Sequence, residues 1–251
     1  MSRLPSEFLT IPIAHRGYHN KADGVIENSP AAFAAAITAG YAIELDLQLS
    51  RDGVPMVFHD DLLDRLTEEK GPVRDRDAKD LEAIPLKGSH ETIPTLASVL
   101  GQVNGAVPLL IELKDQHGQM GETDGRLEDA ATRILADYTG LYALMSFNPS
   151  MVAKVATLAP ATPRGLISSA WRKIDEPHVP VARRAELSGM PDFERIGADF
   201  LSHDMTNLDA PRVEFLKAQG VPILCWTVRS AEQEHQARKV ADNITFEGYA
   251  A

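Results

Sequence analysis

Residues 42–60 read Ala-Ile-Glu-Leu-Asp-Leu-Gln-Leu-Ser-Arg-Asp-Gly-Val-Pro-Met-Val-Phe-His-Asp. From Ile43 to Leu49 apolar and polar residues alternate strictly, the period of a β-strand. One face carries Ile43, Leu45, Leu47 and Leu49, and the other carries Glu44, Asp46 and Gln48. Asp52-Gly53 supplies a tight reversal. A second strand over residues 54–58 then brings His59 back beside the first, antiparallel to it. A half-buried strand can simply wet its polar face. Two carboxylates two residues apart on one face, however, repel unless a cation or proton lies between them. A hairpin that returns a histidine to the same end favours a site.

Working outward, the same punctuation recurs along the chain. A short strand over residues 11–16 precedes the hairpin, with a helix from Pro30 to Gly40 opened by Asn28-Ser29-Pro30. After a charged, weakly periodic excursion from Asp60 to Gly105, a helix is expected over residues 96–103. Strands follow over residues 107–113, 142–147, 164–167, 199–202, 222–227 and 243–246. Helices are expected over 128–138, 150–158 and 211–219, and a further one through Lys239 is opened by a capping box of Ser230 and Gln233. Residues 171–196 form a long irregular connection with at most one short helix. Leaving the returning hairpin strand aside, eight strands alternate mostly with helices. That pattern implies a parallel sheet, and eight units suit a (β/α)8 TIM barrel, an α/β fold with an extra β-hairpin after the second strand. An open doubly wound sheet is the alternative, weakened because no glycine-rich dinucleotide fingerprint follows any strand. The expected organisation is one domain, 1–251, without an inserted domain.

Composition sets the outer limits. The chain has 251 residues, 44% of them hydrophobic and 24% charged, with a formal charge of -11. These are ordinary globular values, and the acidic balance argues against nucleic acid or an anionic membrane as partner. An anionic substrate would need local positive charge from a metal or from placed Arg and Lys residues. Cys225 is the single cysteine, so an internal disulfide is impossible and a reducing compartment is allowed. No basic segment followed by an apolar core marks a signal peptide, and a cytoplasmic location is expected.

In a barrel of this kind the active site lies where the strands run out. Their ends carry His15 and Arg16, Glu44 and Asp46, Glu112 and Lys114, Phe147, Ser202 and His203, Trp226, and Glu247; the hairpin adds His59. Glu44, Asp46 and Glu112 form an all-oxygen set that suits a hard divalent cation, Mg²⁺ or Ca²⁺, better than zinc. Arg16 and Lys114 offer a fork and a point charge for a phosphate. His15 and His59 can share proton transfer near neutral pH. Together these describe metal-assisted phosphodiester cleavage. Singly, each has a plainer explanation. A carboxylate on a strand is more often half of an ion pair, Lys114 can merely neutralise Glu112, and Trp226 by default belongs to a core. Phe147 and Trp226 become a substrate wall only through their place at strand ends. Asn28 can simply cap the following helix, and Glu27 can orient Arg16 from behind. His19, His90, His117, His178 and His235 read as solvated, and His203 and Asp204 as weak candidates.

The ordered set His15-Arg16-Gly17, Glu27-Asn28, Glu44-Leu45-Asp46, Asp52-Gly53 and His59-Asp60 resembles the signature of the glycerophosphodiester phosphodiesterases. So do Ile93-Pro94-Thr95-Leu96, Ile111-Glu112-Leu113-Lys114, Ser146-Phe147 and Trp226-Thr227-Val228, over nearly the whole chain. The resemblance implies a TIM barrel with Glu44, Asp46 and Glu112 on a divalent cation. It implies His15 and His59 as general base and acid, in an order it does not fix, and Arg16 and Lys114 on the phosphate. It further implies attack by the substrate's own glycerol hydroxyl, a cyclic phosphate opened by water, and sn-glycerol 3-phosphate plus an alcohol as products. The chain departs from the pattern at Ser29, where threonine is usual, and at Phe246-Glu247-Gly248, where many relatives carry aspartate and proline. Its 60–105 excursion is too short for an inserted domain, which implies an open mouth. Expected partners are a small-molecule glycerophosphodiester, no nucleic acid, no stable membrane association, and at most a second copy of the chain in a homodimer. The rivals are a lysophospholipase D releasing lysophosphatidic acid and a non-catalytic phosphate-ligand binding module. A barrel aldolase is disfavoured, because no lysine stands alone in an apolar strand end.

Overall fold

A computed structural model describes residues 3–173 and 178–251. Its strands are β1 (Ile13–Ala14), β2 (Ala42–Leu49), β3 (Pro55–Val57), β4 (Leu109–Leu113), β5 (Tyr142–Ser146), β6 (Arg164–Ser168), β7 (Phe200–Asp204), β8 (Ile223–Val228) and β9 (Asn243–Phe246). All but β3 pair in parallel, in the order β2-β4-β5-β6-β7-β8-β9-β1. The sheet closes because β1 bonds both neighbours, with Ile13 beside Ala42 on one side and Thr245 on the other. The expected eight-stranded barrel is therefore the observed one. β3 lies outside it, antiparallel to β2 with Leu47 opposite Val57 and Leu49 opposite Pro55. Gly53 at φ +86° makes the connecting turn, a conformation open to glycine at little cost.

All eight residues of β2 are buried, so its polar face is not wetted as the plainer reading would have it. A closed barrel leaves a strand no wet face. Ile43, Leu45, Leu47 and Leu49 face the helices, packed in one cluster with Phe33, Leu100 and Leu127. The alternate residues face the barrel interior, whose lower part is filled by Ile13, Ala42, Leu110, Ala143, Phe200 and Leu224. Gly165 on β6 has no side chain because a Cβ there would sit 2.2 Å from the Phe200 ring. Helix α1 (Glu7–Thr10) adds fully buried Phe8 to the interior cluster. Asn243 Nδ2 ties it in through the carbonyls of Phe8 at 2.8 Å and Ile11 at 2.6 Å. Burying a phenylalanine contributes about 1.5–3 kcal/mol.

The outer helices are α2 (Pro30–Ala39), α3 (Ala78–Leu81), α4 (Leu96–Val103), α5 (Arg126–Leu135), α6 (Pro149–Leu158), α7 (Val181–Ser188), α8 (Pro211–Ala218) and α9 (Ala231–Ala237). Helix α2 is capped by Ser29, which accepts from the Ala32 N–H, and not by Asn28. At α9, Ser230 accepts from the Gln233 N–H, but the Gln233 side chain accepts from Arg229 N–H, one residue earlier than a capping box requires. The 60–105 excursion, short of periodicity, has a core of its own: Met56, Phe58, Leu63, Leu66, Val73, Leu81 and Ile93 among others. The residues 171–196 contain one described helix, α7, and part of that connection lies outside the described residues.

Candidate active site

Parallel register places Asp46 directly beside Glu112, with Glu44 one inward position below Asp46. All three carboxylates are buried, and oxygens from each lie within 4.8 Å of one another. They are held by short-range contacts. Glu44 Oε2 accepts from the Arg16 N–H at 2.8 Å, and Asp46 Oδ2 accepts from Asn28 Nδ2 at 2.8 Å. Lys114 Nζ bridges Asp46 Oδ1 at 2.8 Å and Glu112 Oε1 at 2.7 Å. Asn28 is thus no helix cap but a donor to the acidic set. Arg16 and Asn28 both take left-handed backbone, at φ +54° and +55°, tied by Asn28 N–H to the Arg16 carbonyl at 2.9 Å. Such backbone in a residue other than glycine persists only where its surroundings over-determine it.

Charge is unbalanced here. Burial, with the neighbouring charges of Asp46 and Glu112, pushes the Glu44 carboxyl well above the usual range. Burial also raises Glu112, against the pull of Lys114. Against its own burial, Asp46 is held far below that range by Lys114, His59 and Arg16. A buried all-oxygen set with surplus negative charge fits a hard divalent cation.

Two histidines flank this cluster, each backed by a carboxylate. His15 Nδ1 lies 2.5 Å from Glu247 Oε2, and His59 Nδ1 lies 2.6 Å from Asp60 Oδ1. Burial lowers His15 to about 4, with the Arg16 charge adding to it. The ring is therefore neutral near pH 7, donates from Nδ1 to Glu247 and keeps the Nε2 lone pair. Glu247 also accepts from Arg229 Nε at 2.8 Å and has His19 Nε2 at 3.6 Å. Gln48 Nε2 fixes the position of His59 by donating to its carbonyl at 3.1 Å. Glu27 Oε1 takes Arg16 Nη1 at 2.5 Å, the orienting contact expected of it.

His15, Arg16, Glu44, His59, Glu112 and Lys114 all line one cavity of about 740 Å³. Phe147 and Trp226 line its other side, their rings edge to face at 5.4 Å, and Trp171 packs on Phe147 at 5.7 Å. Every site residue expected from the sequence except Glu27, Asn28 and Asp46 lines that space; Glu27 and Asp46 bind the lining residues Arg16 and Lys114, and Asn28 donates to Asp46 and, from its N–H, to the Arg16 carbonyl. The sequence reading missed Asp60 and Glu247 as the partners of the histidines. It also took His19 as solvated, whereas His19 is half-buried and faces Glu247; His178 is exposed as expected, at the cavity lining. His90, His117 and His235 are exposed as expected. His203 is fully buried on the face away from the cavity, its ring against Asn207 Nδ2 at 3.2 Å, while Asp204 reaches the lining.

Fold and pocket together define a (β/α)8-barrel protein with an acidic, cation-ready site at the strand ends. The sequence profile of the glycerophosphoryl diester phosphodiesterase family matches residues 15–242, and the chain belongs to that family. A glycerophosphodiester phosphodiesterase of Caldanaerobacter subterraneus subsp. tengcongensis is 28% identical over 245 residues, covering 94% of this chain and 93% of its own. The solved structure of an Oleispira antarctica phosphodiesterase in complex with the product sn-glycerol-3-phosphate aligns with a TM-score of 0.77 at 24% identity, over 96% and 94% of the two chains. That of a glycerophosphodiester phosphodiesterase from Thermotoga maritima aligns at 0.70 and 22% identity, over 94% of each. These likenesses support the same barrel fold. Among the described residues, no helix is long and apolar enough to cross a membrane.

Proposed function

We propose that the chain, acting as one domain, hydrolyses glycerophosphodiesters to sn-glycerol 3-phosphate and an alcohol, with a divalent cation on Glu44, Asp46 and Glu112. The observation that carries this reading is the shared cavity: three buried carboxylates within 4.8 Å, beside two carboxylate-backed imidazoles. Mg²⁺ or Ca²⁺ bound there supplies the neutralisation that the buried acids lack and draws charge from the phosphoryl oxygens. The chain's own residues do the rest. Arg16 presents its guanidinium fork to the phosphate. Lys114 spends two of its three donors on Asp46 and Glu112 and keeps one for a phosphoryl oxygen. Neutral His15 accepts the proton of the attacking glycerol hydroxyl at Nε2, and Glu247 stabilises the imidazolium that forms. His59 gives a proton to the departing alcohol oxygen, and the imidazoles exchange roles when water opens the cyclic phosphate. Phe147 and Trp226 exclude water on the alcohol side.

The test is product analysis. Glycerophosphocholine, glycerophosphoethanolamine and lysophosphatidylcholine are each incubated with the protein and Mg²⁺ or Ca²⁺, and glycerol 3-phosphate is detected by a coupled dehydrogenase. Release of glycerol 3-phosphate from the first two supports the reading. Tight binding without turnover would assign a binding module instead, and release of lysophosphatidic acid alone a lysophospholipase D.

A further inference from the structure

The stretch Leu63–Thr67 carries an arginine with an unusual number of partners. Leu63 and Leu66 are buried in the small core of the excursion, and Thr67 closes the turn by donating from N and Oγ1 to the Leu63 carbonyl at 3.0 and 2.9 Å. Arg65 between them is thereby aimed, and its guanidinium forks twice. Nη1 and Nη2 donate to Glu27 Oε2 and Oε1, both at 2.8 Å. Nε and Nη2 donate to Asp60 Oδ2 and Oδ1 at 2.6 and 2.8 Å. Each carboxylate is also engaged inward: Glu27 Oε1 with Arg16 Nη1 at 2.5 Å, and Asp60 Oδ1 with His59 Nδ1 at 2.6 Å.

One planar group therefore touches both halves of the machinery without lining the cavity itself. The Arg65 side chain is 45% exposed, and ion pairs of exposed groups contribute little to stability. A surface staple does not need four charged bonds in fixed geometry. A guanidinium does suit this work, because its donors are coplanar and cannot drift independently. Its contacts also keep Glu27 ionised, held down to about 2 against its burial by Arg65 and Arg16.

We propose that Arg65 is a positioning residue: gripping Asp60 and Glu27 together, it sets the His59 imidazole against the leaving oxygen and the Arg16 guanidinium against the phosphate. The proposal rests on the roles given to His59 and Arg16 above. It also gives the excursion a purpose, because its small core is the element that holds Arg65 in place.

The test compares glycerophosphocholine, whose alcohol must be protonated to leave, with the 4-nitrophenyl ester of glycerol 3-phosphate, whose aryloxide leaves without a proton. Arg65→Ala lowers kcat/KM on the choline ester by on the order of 10–100-fold, and by at least tenfold less on the aryl ester. Asp60→Asn reproduces that leaving-group dependence, whereas Glu27→Gln raises KM for both substrates. Arg65→Lys keeps the charge but cannot fork to both carboxylates, so it recovers only part of the loss. It also carries the comparison if the alanine variant does not fold. Equal losses on both esters, or a wild-type rate, overturn the proposal. His59→Ala is the control. If it lacks the leaving-group dependence, the acid role of His59 fails and takes that half of the proposal with it. If it shows the dependence and Arg65→Ala does not, the positioning role alone is wrong.

Discussion

Replacing Glu247 by glutamine removes one charge and leaves the shape of the site nearly unchanged. Glu247 Oε2 lies 2.5 Å from His15 Nδ1, with only 14% and 21% of the two side chains exposed. A hydrogen bond to a charged group is worth about 1.5–3 kcal/mol. In the proposed mechanism its largest value comes in the transition state, where the imidazole would take up the glycerol proton and become positive. At 1.36 kcal/mol per decade, losing it costs roughly 10–150-fold in kcat. Among the described residues the Glu247 carboxylate pairs with His15, Arg229 and His19 and not with the three-carboxylate set, so cation affinity stays unchanged. The assay is initial-rate release of glycerol 3-phosphate from glycerophosphocholine at saturating cation, for wild type, Glu247→Gln, His15→Ala and the double variant. Because Glu247 acts through His15, the second substitution costs nothing further in the His15→Ala background. A Glu247→Gln enzyme within twofold of wild type, or losses that simply add, would refute the pairing.

Both His15→Ala and His59→Ala lower turnover of glycerophosphocholine by on the order of 10²–10⁴-fold while leaving melting temperature and cation binding close to wild type, checked by single-turnover assay and calorimetry; near wild-type rate in either removes its proton-transfer role. His203, lowered to about 4 by burial, binds a proton more readily in the unfolded chain, whose histidine titrates near 6.5. Stability from this group is therefore full above pH 6.5 and is lost as pH falls from 6.5 to 4, by up to about 3 kcal/mol. Thermal melts across pH 4–7 show this slope, and His203→Gln reduces it, leaving the part that His15, also lowered to about 4 by burial, contributes over the same range. Gly165→Ala forces a Cβ within 2.2 Å of the Phe200 ring and destabilises by about 1–3 kcal/mol or more, read as a melting temperature lower by several degrees; an unchanged value contradicts the interior packing.

The barrel was legible because its signals are local. Ile43–Leu49 alternates, Pro30, Pro149 and Pro211 each open a helix, and Gly40 and Gly220 follow helix ends. Helix α1 has four residues and no period to read. The excursion's core joins Met56, Leu63, Val73, Leu81 and Ile93 at irregular intervals, so its apolar residues form no pattern before the chain folds. The acidic set was legible from alternation, because Glu44, Asp46 and Glu112 stand at inward positions of β2 and β4, which the parallel register places side by side. Their supports were not. Glu247 was visible at a strand end, but its partner His15 lies 232 residues away. Arg65 stands in a weakly periodic segment, and the left-handed backbone of Arg16 has no signature in side-chain type. Asn28 and Ser29 both precede a proline-started helix as able caps, so only the fold could tell that Ser29 caps and Asn28 binds Asp46.

The central claim is that Glu44, Asp46 and Glu112 hold one divalent cation that turnover requires. Protein stripped with EDTA is titrated with Mg²⁺ and separately with Ca²⁺ while cation binding and glycerol 3-phosphate release are followed together. The account predicts no turnover in the stripped protein, recovery complete at one bound cation per chain with at least one of the two metals, and a binding midpoint at least tenfold weaker in Glu112→Gln. Full turnover without any cation, or unchanged cation binding in a variant lacking all three carboxylates, contradicts it.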